Sequence, residues 1–315
     1  MARFYLGVDG GQSSTTALIA NDNGQVLGVG RSGPCNHVTG AEARIRFLSV
    51  VGECLRQATE QAGIDGNLEF AAACLGFSGG AQDKRAYIEE LIRSRHTKVT
   101  HDAEIALLGA TDGQAGIVVI AGTGSIAFGR NNEGRTARAG GWGYIFGDEG
   151  GAFDIARRSL RAALRMEEGW GEATDLRERL LQTMSAPSAN DLMHRFYTGI
   201  PRQQIAALAP LVDESATRGD SVATAILREA ADELVRLAQG VYRTLFVAPA
   251  SVPVAYIGGV FQSERLRQSF IGSVRSVLSC EAIRPHNSPA AGALLEALRL
   301  DGNTSTLKAV PEIKT

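Results

Sequence analysis

The stretch YLGVDGGQSSTTALIANDNG, residues 5–24, decides how the rest of the chain can be interpreted. An apolar run ends in Asp9, two glycines, a glutamine and four hydroxyl residues follow, and a second apolar run leads into an NDNG sequence typical of a hairpin turn. Glycines beside hydroxyl side chains are typical of phosphate-binding loops, but a P-loop ends in GKS or GKT and begins a helix, whereas a strand follows here. Taken alone, the stretch fits a phosphate loop and a tight turn with capping hydroxyls about equally well.

The same order of features returns in the second half of the chain. Residues 116–121 form an apolar run, GTGS follows, and the strands predicted over residues 126–129 and 135–139 are separated by the turn sequence NNEG. Because both copies carry an Asn/Gly turn at the same place, an internal duplication is the favoured interpretation. A turn does not require hydroxyl residues, yet both loops contain them. The two loops together therefore favour phosphate binding.

The bulk composition excludes several classes of function. The chain has 315 residues, 44% of them hydrophobic and 21% charged, with a formal net charge of −2, which predicts a globular protein without a basic field for nucleic acid. The apolar runs are too short to span a membrane, and no secretion signal is visible at the start. The four cysteines lie far apart without a CxxC pair, which disfavours zinc or a disulfide framework and predicts a cytoplasmic protein.

The hydrophobic periodicity predicts two α/β halves, each with a mixed sheet, that meet across a ligand cleft. We expect an N-terminal lobe over residues 1–115, a C-terminal lobe over residues 116–315, and a frayed tail from Asp301 onward. The other predicted strands cover residues 3–8, 15–20, 25–31, 70–75, 98–101, 254–257 and 282–284, and the predicted helices cover residues 42–62, 83–94, 103–110, 149–166, 176–184, 189–196, 202–216, 220–245, 264–278 and 289–300.

The first glycine loop contains the candidate residues for phosphate and metal. Gly10 and Gly11 would let the backbone approach a ligand closely, and the hydroxyls of Ser13, Ser14 and Thr15 are suited to phosphate oxygens. Asp9 is expected to hold a hydrated Mg²⁺, because magnesium in proteins is commonly bound by a carboxylate together with substrate phosphates and water.

At two further places the sequence allows two interpretations each. The sequence YIGGVF, residues 256–261, places Gly258 and Gly259 between a strand and a helix, where they would fit an adenosine or simply close packing. Asp102 follows a short strand and precedes a helix, so it is either the N-cap of that helix or a general base.

The segment GGWGYIFGDEGGAFDI, residues 140–155, is the most unusual one. Its glycines, aromatic residues and acidic pair favour a loop that folds around a small polar molecule over an exposed linker into the following helix. Asn36, in the sequence GPCNHV, can both donate and accept hydrogen bonds, which suits a sugar hydroxyl or an N-acetyl group as well as a turn.

Together these motifs resemble the sugar kinases of the actin-like ATPase superfamily, to which acetate kinase and Hsp70 also belong. The likeness is strongest to the N-acetylglucosamine kinase branch, which shares the BadF/BadG/BcrA/BcrD domain family with activator ATPases of acyl-CoA enzymes. DGGQSST and VVIAGTGS are similar to its two phosphate motifs and YIGGVF to its adenosine motif, and the glycine-rich segment after residue 139 is the most specific match.

The resemblance implies an α/β protein with a duplicated ribonuclease-H-like fold, two lobes around a central cleft, and an ATP- and Mg²⁺-dependent kinase that phosphorylates the 6-hydroxyl of an amino sugar. N-acetylglucosamine is the first choice, with glucosamine and N-acetylmuramic acid as alternatives, and Asp102 would be the general base. By the same likeness the phosphate contacts are Gly10, Gly11, Gln12, Ser13, Ser14, Thr15, Thr123 and Gly124; the adenosine contacts are Ala206, Gly258, Gly259 and Ser263; the sugar contacts are Asn36, Asp102, Ser125, Gly141, Trp142, Gly143, Asp148 and Ala152.

Two departures from related families narrow the prediction. The zinc motif of another large sugar kinase family is missing, and the loop IAGTGS lacks the cysteine through which activator ATPases carry an iron–sulfur cluster. An activator-type ATPase that drives a partner protein is therefore the alternative, and a small-molecule kinase is favoured. Since related kinases are commonly dimers, a homodimer is expected.

Overall fold

The fold is described from a computed structural model that covers residues 2–11, 14–35, 41–65, 68–78, 84–247 and 250–311. Within these residues the strands are β1 (Phe4–Gly10), β2 (Thr15–Asn21), β3 (Val26–Ser32), β4 (Glu69–Phe77), β5 (Arg93–His101), β6 (Gly116–Ala121), β7 (Ser125–Arg130), β8 (Thr136–Gly140), β9 (Pro253–Ile257) and β10 (Glu281–Ile283). The helices are α1 (Ala41–Ala62), α2 (Arg85–Leu91), α3 (Asp102–Ala110), α4 (Ala152–Glu167), α5 (Leu176–Thr183), α6 (Ala189–Tyr197), α7 (Arg202–Ala206), α8 (Ala209–Thr217), α9 (Ser221–Leu245), α10 (Glu264–Leu278) and α11 (Pro289–Leu300).

The strands form two sheets with the same order. The first sheet runs β3-β2-β1-β4-β5, and the second runs β8-β7-β6-β9-β10, so the strands of each half take equivalent places. In the first sheet β1 pairs antiparallel with β2 and parallel with β4, and in the second β6 pairs parallel with β9. Both predicted turns form, since the amide of Gly24 donates to the Asn21 carbonyl and that of Gly134 to the Asn131 carbonyl. The predicted duplicated ribonuclease-H-like fold is confirmed.

The chain forms two compact units, one made of Met1–Gly116 with Arg284–Thr315 and the other of Ile117–Ile283. This corrects the predicted C-terminal lobe, because α11 belongs to the first unit. Its residues Ala290 and Leu294 are buried with Tyr5 of β1 on one face of the first sheet. Leu6 of the same strand faces the opposite way, into the cluster that includes Val51 of α1, as the two-residue period of a strand requires.

Two predicted elements differ from the observed ones in the first unit. Residues 93–94 end a predicted helix, but they begin β5, which extends to His101 as an edge strand beside β4. The polar sequence RSRHTK is compatible with an edge strand, and hydrogen bonding to β4 outweighs its helical pattern. Residues 301–308 of the tail are anchored rather than frayed: the Asp301 carboxylate accepts from the Tyr5 hydroxyl at 2.7 Å, and the Lys308 amide donates to the Gly24 carbonyl at 2.9 Å.

The second unit also departs from two predicted helix boundaries. The helix predicted over residues 202–216 is two helices, α7 and α8, because Pro210 lies in the first turn of α8, where its missing amide is tolerated. The helix predicted from Glu149 begins at Ala152, with Gly151 at the N-cap position, so Asp148 is not its cap. Among the helices of the described residues, none has both the length and the apolar character needed to cross a bilayer.

Candidate functional site

The parallel strands of the first unit bring two acidic residues to one edge of the sheet. In the strand register Gly10 of β1 is opposite Phe77 of β4, and Phe77 is opposite His101 of β5. Asp9 directly precedes Gly10, and Asp102 directly follows His101 as the first residue of α3. The two carboxylates therefore lie at the carboxyl ends of strands that flank β4, which is where α/β proteins commonly bind ligands.

The surroundings of these carboxylates favour their protonated forms. Burial raises the pKa of Asp9 to about 7, and the negative charge of Asp102 adds to the increase. Burial likewise raises the pKa of Asp102, against the opposing effects of the Ala103 amide and the positive charges of His101 and Lys84. Groups with such shifted pKa values at a ligand-binding edge are candidates for proton transfer.

The alternative role of Asp102 as a helix cap does not fit the geometry. The N-cap position of α3 is His101, whose side chain makes no capping hydrogen bond, and Asp102 is already helical. Its carboxylate oxygen Oδ1 accepts from the amide of the next residue, Ala103, at 2.8 Å, whereas a capping side chain accepts from amides two or three positions on. The structure thus leaves the general-base prediction for Asp102 in place as a proposal.

Lys84 lies at the same edge and was missed by the sequence reasoning. Its ammonium Nζ donates to the Ser78 carbonyl at 2.7 Å and lies 5.1 Å from the centre of the buried Phe77 ring, at the end of β4. The sequence contains one signal for it, since only four of the 32 basic residues of the chain are lysines.

The predicted phosphate-binding residues of the first loop have different surroundings. Gln12 and Ser13 lie outside the described residues, as does the predicted sugar residue Asn36. Ser14 is exposed, and its carbonyl accepts from the Gly11 amide at 2.9 Å. The prediction for Thr15 is corrected: this side chain is fully buried, and its hydroxyl donates to the Gly33 carbonyl at 2.9 Å, so it is not available to a phosphate.

In the second unit, the loop between β6 and β7 packs directly on the start of α4. The Gly122 carbonyl accepts from the Ala152 amide at 2.8 Å, and the Thr123 carbonyl accepts from the Phe153 amide at 3.1 Å. A Cβ atom on Gly151 would lie 2.8 Å from the carbonyl carbon of Gly124, so this approach requires glycine. The two motifs that the sequence analysis treated separately form one structural element.

Asp148 is the centre of that element. It is 5% exposed, has a positive φ of 66°, and its Oδ1 accepts from the Ser125 amide at 3.3 Å. Its other oxygen pairs with the guanidinium of Arg202, which the sequence reasoning did not identify. The Ser125 hydroxyl donates to the Glu149 carbonyl at 2.6 Å. A non-glycine residue at positive φ costs free energy, so the surrounding hydrogen bonds hold Asp148 in place.

The aromatic residues of the glycine-rich segment are more exposed than expected. Trp142 is 66% and Phe146 81% exposed, although Arg138 stacks on the Trp142 ring at 4.7 Å. The guanidinium of Arg202 lies 5.3 Å from the Tyr144 ring. Gly141 and Gly143, on either side of Trp142, both have positive φ angles and give the segment its turns.

A cavity of about 560 Å³ in the second unit brings together five predicted site residues, which come from separate elements. They are Thr123, Ala152, Ala206, Gly259 and Ser263. The walls are mostly apolar, with Ile155, Leu227 and Val260 among them, which suits a flat heterocycle, and Asp213 and Gln203 provide polar groups.

Two of the predicted adenosine residues, Ser263 and Gly258, have structural roles. The Ser263 hydroxyl donates to the Asp213 carboxylate and also caps α10 by accepting from the Leu266 amide, so it has a structural role at the cavity wall. Gly258 does not line the cavity. It has a φ of 116°, and a Cβ atom there would collide with the Ala121 carbonyl, so close packing of the backbone accounts for this glycine.

Comparison with known proteins places the chain in one family. The sequence model of the BadF/BadG/BcrA/BcrD ATPase family matches residues 6–297. The chain is 35% identical over 267 residues to the N-acetylmuramic acid/N-acetylglucosamine kinase of Clostridium acetobutylicum, covering 83% of this chain and 86% of that protein. It is 30% identical over 311 residues to the N-acetyl-D-glucosamine kinase of Dictyostelium discoideum, covering 93% and 97% of the two chains.

The fold agrees with a solved structure as well. A Chromobacterium violaceum protein, provisionally named an N-acetylglucosamine kinase, superimposes with a TM-score of 0.73 at 28% identity, covering 93% of this chain and 98% of that one. The match to the family model spans nearly the whole chain and includes both glycine loops. As its motifs predicted, the chain belongs to the BadF/BadG/BcrA/BcrD ATPase family.

Proposed function

We propose that this protein is an ATP-dependent kinase that transfers the γ-phosphoryl group to the 6-hydroxyl of an amino sugar, with N-acetylglucosamine as the first substrate. The observation that carries the proposal is the cavity of the second unit, where Thr123 of the glycine loop and Ala206 line one space of about 560 Å³. A nucleotide in this cavity would have its phosphates at the glycine loop between β6 and β7. ATP use is supported further by membership of an ATPase family.

The first unit would provide the proton acceptor. Asp102 would accept the proton of the sugar hydroxyl as its oxygen attacks phosphorus, which is the usual role of a carboxylate in kinases. In such reactions the protein contributes mainly orientation and charge stabilisation. The remaining predictions stay part of the proposal: phosphate contacts from Gly10, Gly11, Gln12, Ser13, Ser14 and Gly124, and sugar contacts from Asn36, Ser125, Gly141, Trp142, Gly143, Asp148 and Ala152.

The surroundings of Asp9 fit a hydrated magnesium ion. The effects that raise its pKa, burial and the nearby Asp102 carboxylate, disfavour two uncompensated negative charges at this edge. A divalent cation would offset that repulsion, and Asp9 would hold it through water. When bound, the ion neutralises charge on the nucleotide phosphates.

The relatives also indicate the substrates to compare. The two relatives described above are named as kinases of N-acetylglucosamine, and the Clostridium acetobutylicum protein is also named for N-acetylmuramic acid. N-acetylmuramic acid is therefore the second candidate acceptor. Glucosamine, which lacks the acetyl group, tests whether that group is recognised.

A substrate panel tests the proposal directly. ADP release should be measured with ATP and Mg²⁺ in the presence of N-acetylglucosamine, N-acetylmuramic acid, glucosamine, N-acetylmannosamine or glucose. Release that depends on an amino sugar is expected. Equal release with and without every sugar would contradict the proposal and favour the activator-type ATPase. Light scattering on the same sample measures whether the protein is the expected homodimer.

The nucleotide cavity gives a separate prediction for Ala206→Phe. Ala206 is 6% exposed and lines the cavity, so the larger ring should occupy the space proposed for adenine. The KM for ATP should rise by about tenfold or more, equivalent to about 1.4 kcal/mol of binding free energy, with less change in the KM for the sugar. Ala173→Phe, at an exposed position of the same unit, is the control. An unchanged KM for ATP in Ala206→Phe would place the nucleotide elsewhere.

A further inference from the structure

A second cavity of about 570 Å³ lies in the second unit, between α4 and α9. Its α4 wall carries Arg157, Arg161 and Arg165, which are spaced four residues apart and so follow one another along one face of the helix. Its α9 wall extends from Val222 to Glu229 and is mostly apolar. Among the residues that the structure describes, this cavity and the one proposed for the nucleotide have no lining residue in common.

The turn that follows α4 also lines this second cavity. The amides of Trp170 and Gly171 both donate to the Arg165 carbonyl, at 3.1 and 2.9 Å. A Cβ atom on Gly171 would lie 2.7 Å from the Cβ of Arg165, so the turn packs tightly against the end of the helix. The Arg165 guanidinium lies 4.9 Å from the centre of the Trp170 ring, and this stacking holds the cation beside the cavity.

The arginines of the α4 wall differ in whether a carboxylate offsets their charge. The buried Asp154 carboxylate accepts from the guanidinium of Arg157 at 2.7 Å and from that of Arg158 at 2.9 Å. Arg161 and Arg165 form no ion pair with any carboxylate in the described part of the chain. The cavity therefore presents two guanidinium groups that can bind an anion without first breaking an ion pair.

Helix stability alone disfavours this arrangement of arginines. Arg161 lies four residues from both Arg157 and Arg165, and like charges at that spacing repel each other along a helix. An anion between the guanidinium groups would replace the repulsion by attraction. A phosphate monoester suits two arginines best, because its oxygens match the fork of donors that each planar guanidinium presents.

The rest of the lining suits the sugar part of a phosphorylated ligand. The carboxylates of Glu172 and Glu229 can accept from hydroxyl groups, and Glu229 is held in place by its ion pair with Arg158 at 2.7 Å. Val222 and Ile226 provide apolar surface for the carbon atoms of a ring. The volume lies within the range of about 300–1,000 Å³ that is usual for small-molecule sites.

We propose that this cavity is a binding site for a sugar phosphate, separate from the cavity proposed for the nucleotide. Arg161 and Arg165 hold the phosphate group. Glu172 and Glu229 accept hydrogen bonds from the sugar hydroxyls. The proposed kinase would form a compound of this class, so N-acetylglucosamine 6-phosphate is the probe.

The binding test is calorimetry with this probe, in the presence of excess N-acetylglucosamine and a non-hydrolysable ATP analogue that occupy the proposed catalytic site. Arg161→Gln and Arg165→Gln should each raise the Kd by about tenfold or more, because each removes hydrogen bonds between charged groups. Arg161→Lys keeps the charge without the fork and should recover part of the loss. All these positions are exposed, so the variants should fold.

Arg275→Gln is the matched control for the binding test. Arg275 is an exposed arginine of α10 in the same unit, and it does not line the cavity. The same chemical change there should leave the Kd for the sugar phosphate within about twofold of the wild-type value. Inorganic phosphate and N-acetylglucosamine, each tested alone, should bind more weakly than the compound that contains both parts.

Trp170 provides a second readout within the cavity itself. The chain has two tryptophans, Trp142 and Trp170. A ligand that draws the Arg165 guanidinium away from the ring should change the emission of Trp170, which is 64% exposed. Trp170→Phe retains an aromatic ring and should lose this change in emission.

The outcomes separate this inference from the proposed function. Weaker binding in both glutamine variants of α4, with normal binding in Arg275→Gln, supports the site. Wild-type affinity in Arg161→Gln and Arg165→Gln would overturn it, and so would equal affinity for inorganic phosphate, which would show adventitious anion binding only. None of these results changes the kinase assignment, because sugar-dependent ADP release by the wild-type protein tests that assignment independently.

Discussion

Asp102→Asn should lower the rate of phosphoryl transfer by about 10²–10⁴-fold while leaving the affinity for the sugar nearly unchanged. The substitution replaces one carboxylate oxygen by an amide and so removes the proton acceptor without changing the volume of the side chain. The remaining oxygen can still accept from the Ala103 amide, as Oδ1 does at 2.8 Å, so the start of α3 should be preserved. The measurement is kcat from coupled ADP release, with sugar affinity from calorimetry.

Asp112→Asn is the matched control for this prediction. Asp112 lies just beyond the other end of α3, where it pairs with His286 on the exposed surface, and the same chemical change there should leave kcat within about twofold. The pH dependence of the wild-type rate adds a second criterion. Burial raises the pKa of Asp102, so this carboxylate takes up a proton at a higher pH than an ordinary carboxyl does. As the pH is lowered, the wild-type rate should therefore begin to fall at that higher pH. Wild-type turnover in Asp102→Asn would show that another group accepts the proton.

Gly292→Ala should destabilise the first unit by about 3 kcal/mol or more. Gly292 lies in α11 where that helix crosses α3, and a Cβ atom there would collide with the Ile105 carbonyl oxygen and the Gly109 amide nitrogen. Both are backbone atoms, which cannot move without displacing α3. The thermal midpoint of unfolding should therefore fall, and α11 should lose its close packing on the sheet.

Gly272→Ala is the same substitution in another helix, and it should raise the stability rather than lower it. Gly272 lies in α10, is exposed, and a Cβ atom there would meet no other atom within 4 Å. Alanine is the better helix former, so this variant should gain up to about 1 kcal/mol. A Gly292→Ala protein that melts with the wild type, or as high as Gly272→Ala, would contradict the close helix crossing.

Much of the architecture was predictable because its signals are local. The alternating apolar runs and the turns at Gly24 and Gly134 depend on residues next to each other in the chain, and the structure forms both turns. The repeated order of strand, loop, strand and turn was enough to predict two sheets of the same kind, and the sheet orders agree. The family resemblance followed from the same local motifs.

The failures of prediction have a long-range cause. Residues 93–94 carry a helical pattern, but they pair with β4 because hydrogen bonds to a neighbouring strand outweigh local propensity. The polar sequence of residues 301–308 resembles a free chain end, yet Tyr5 and Gly24 from the start of the chain anchor Asp301 and Lys308. Residues distant in sequence provide these partners, so no local pattern could indicate them.

The sequence by itself indicated the duplicated fold and the two glycine loops, since their motifs are runs of neighbouring residues. The family resemblance made Asp102 the candidate base. The tertiary structure alone decided that Thr15 turns its hydroxyl inward, that Arg202 pairs with Asp148, and that the Lys84 ammonium packs on the Phe77 ring. The physical reason is that strand register and helix packing determine which charges become neighbours and which donors are already used. Electrostatic and hydrogen-bond energies depend on separation in space and not on separation along the chain. These contacts therefore depend on the whole fold.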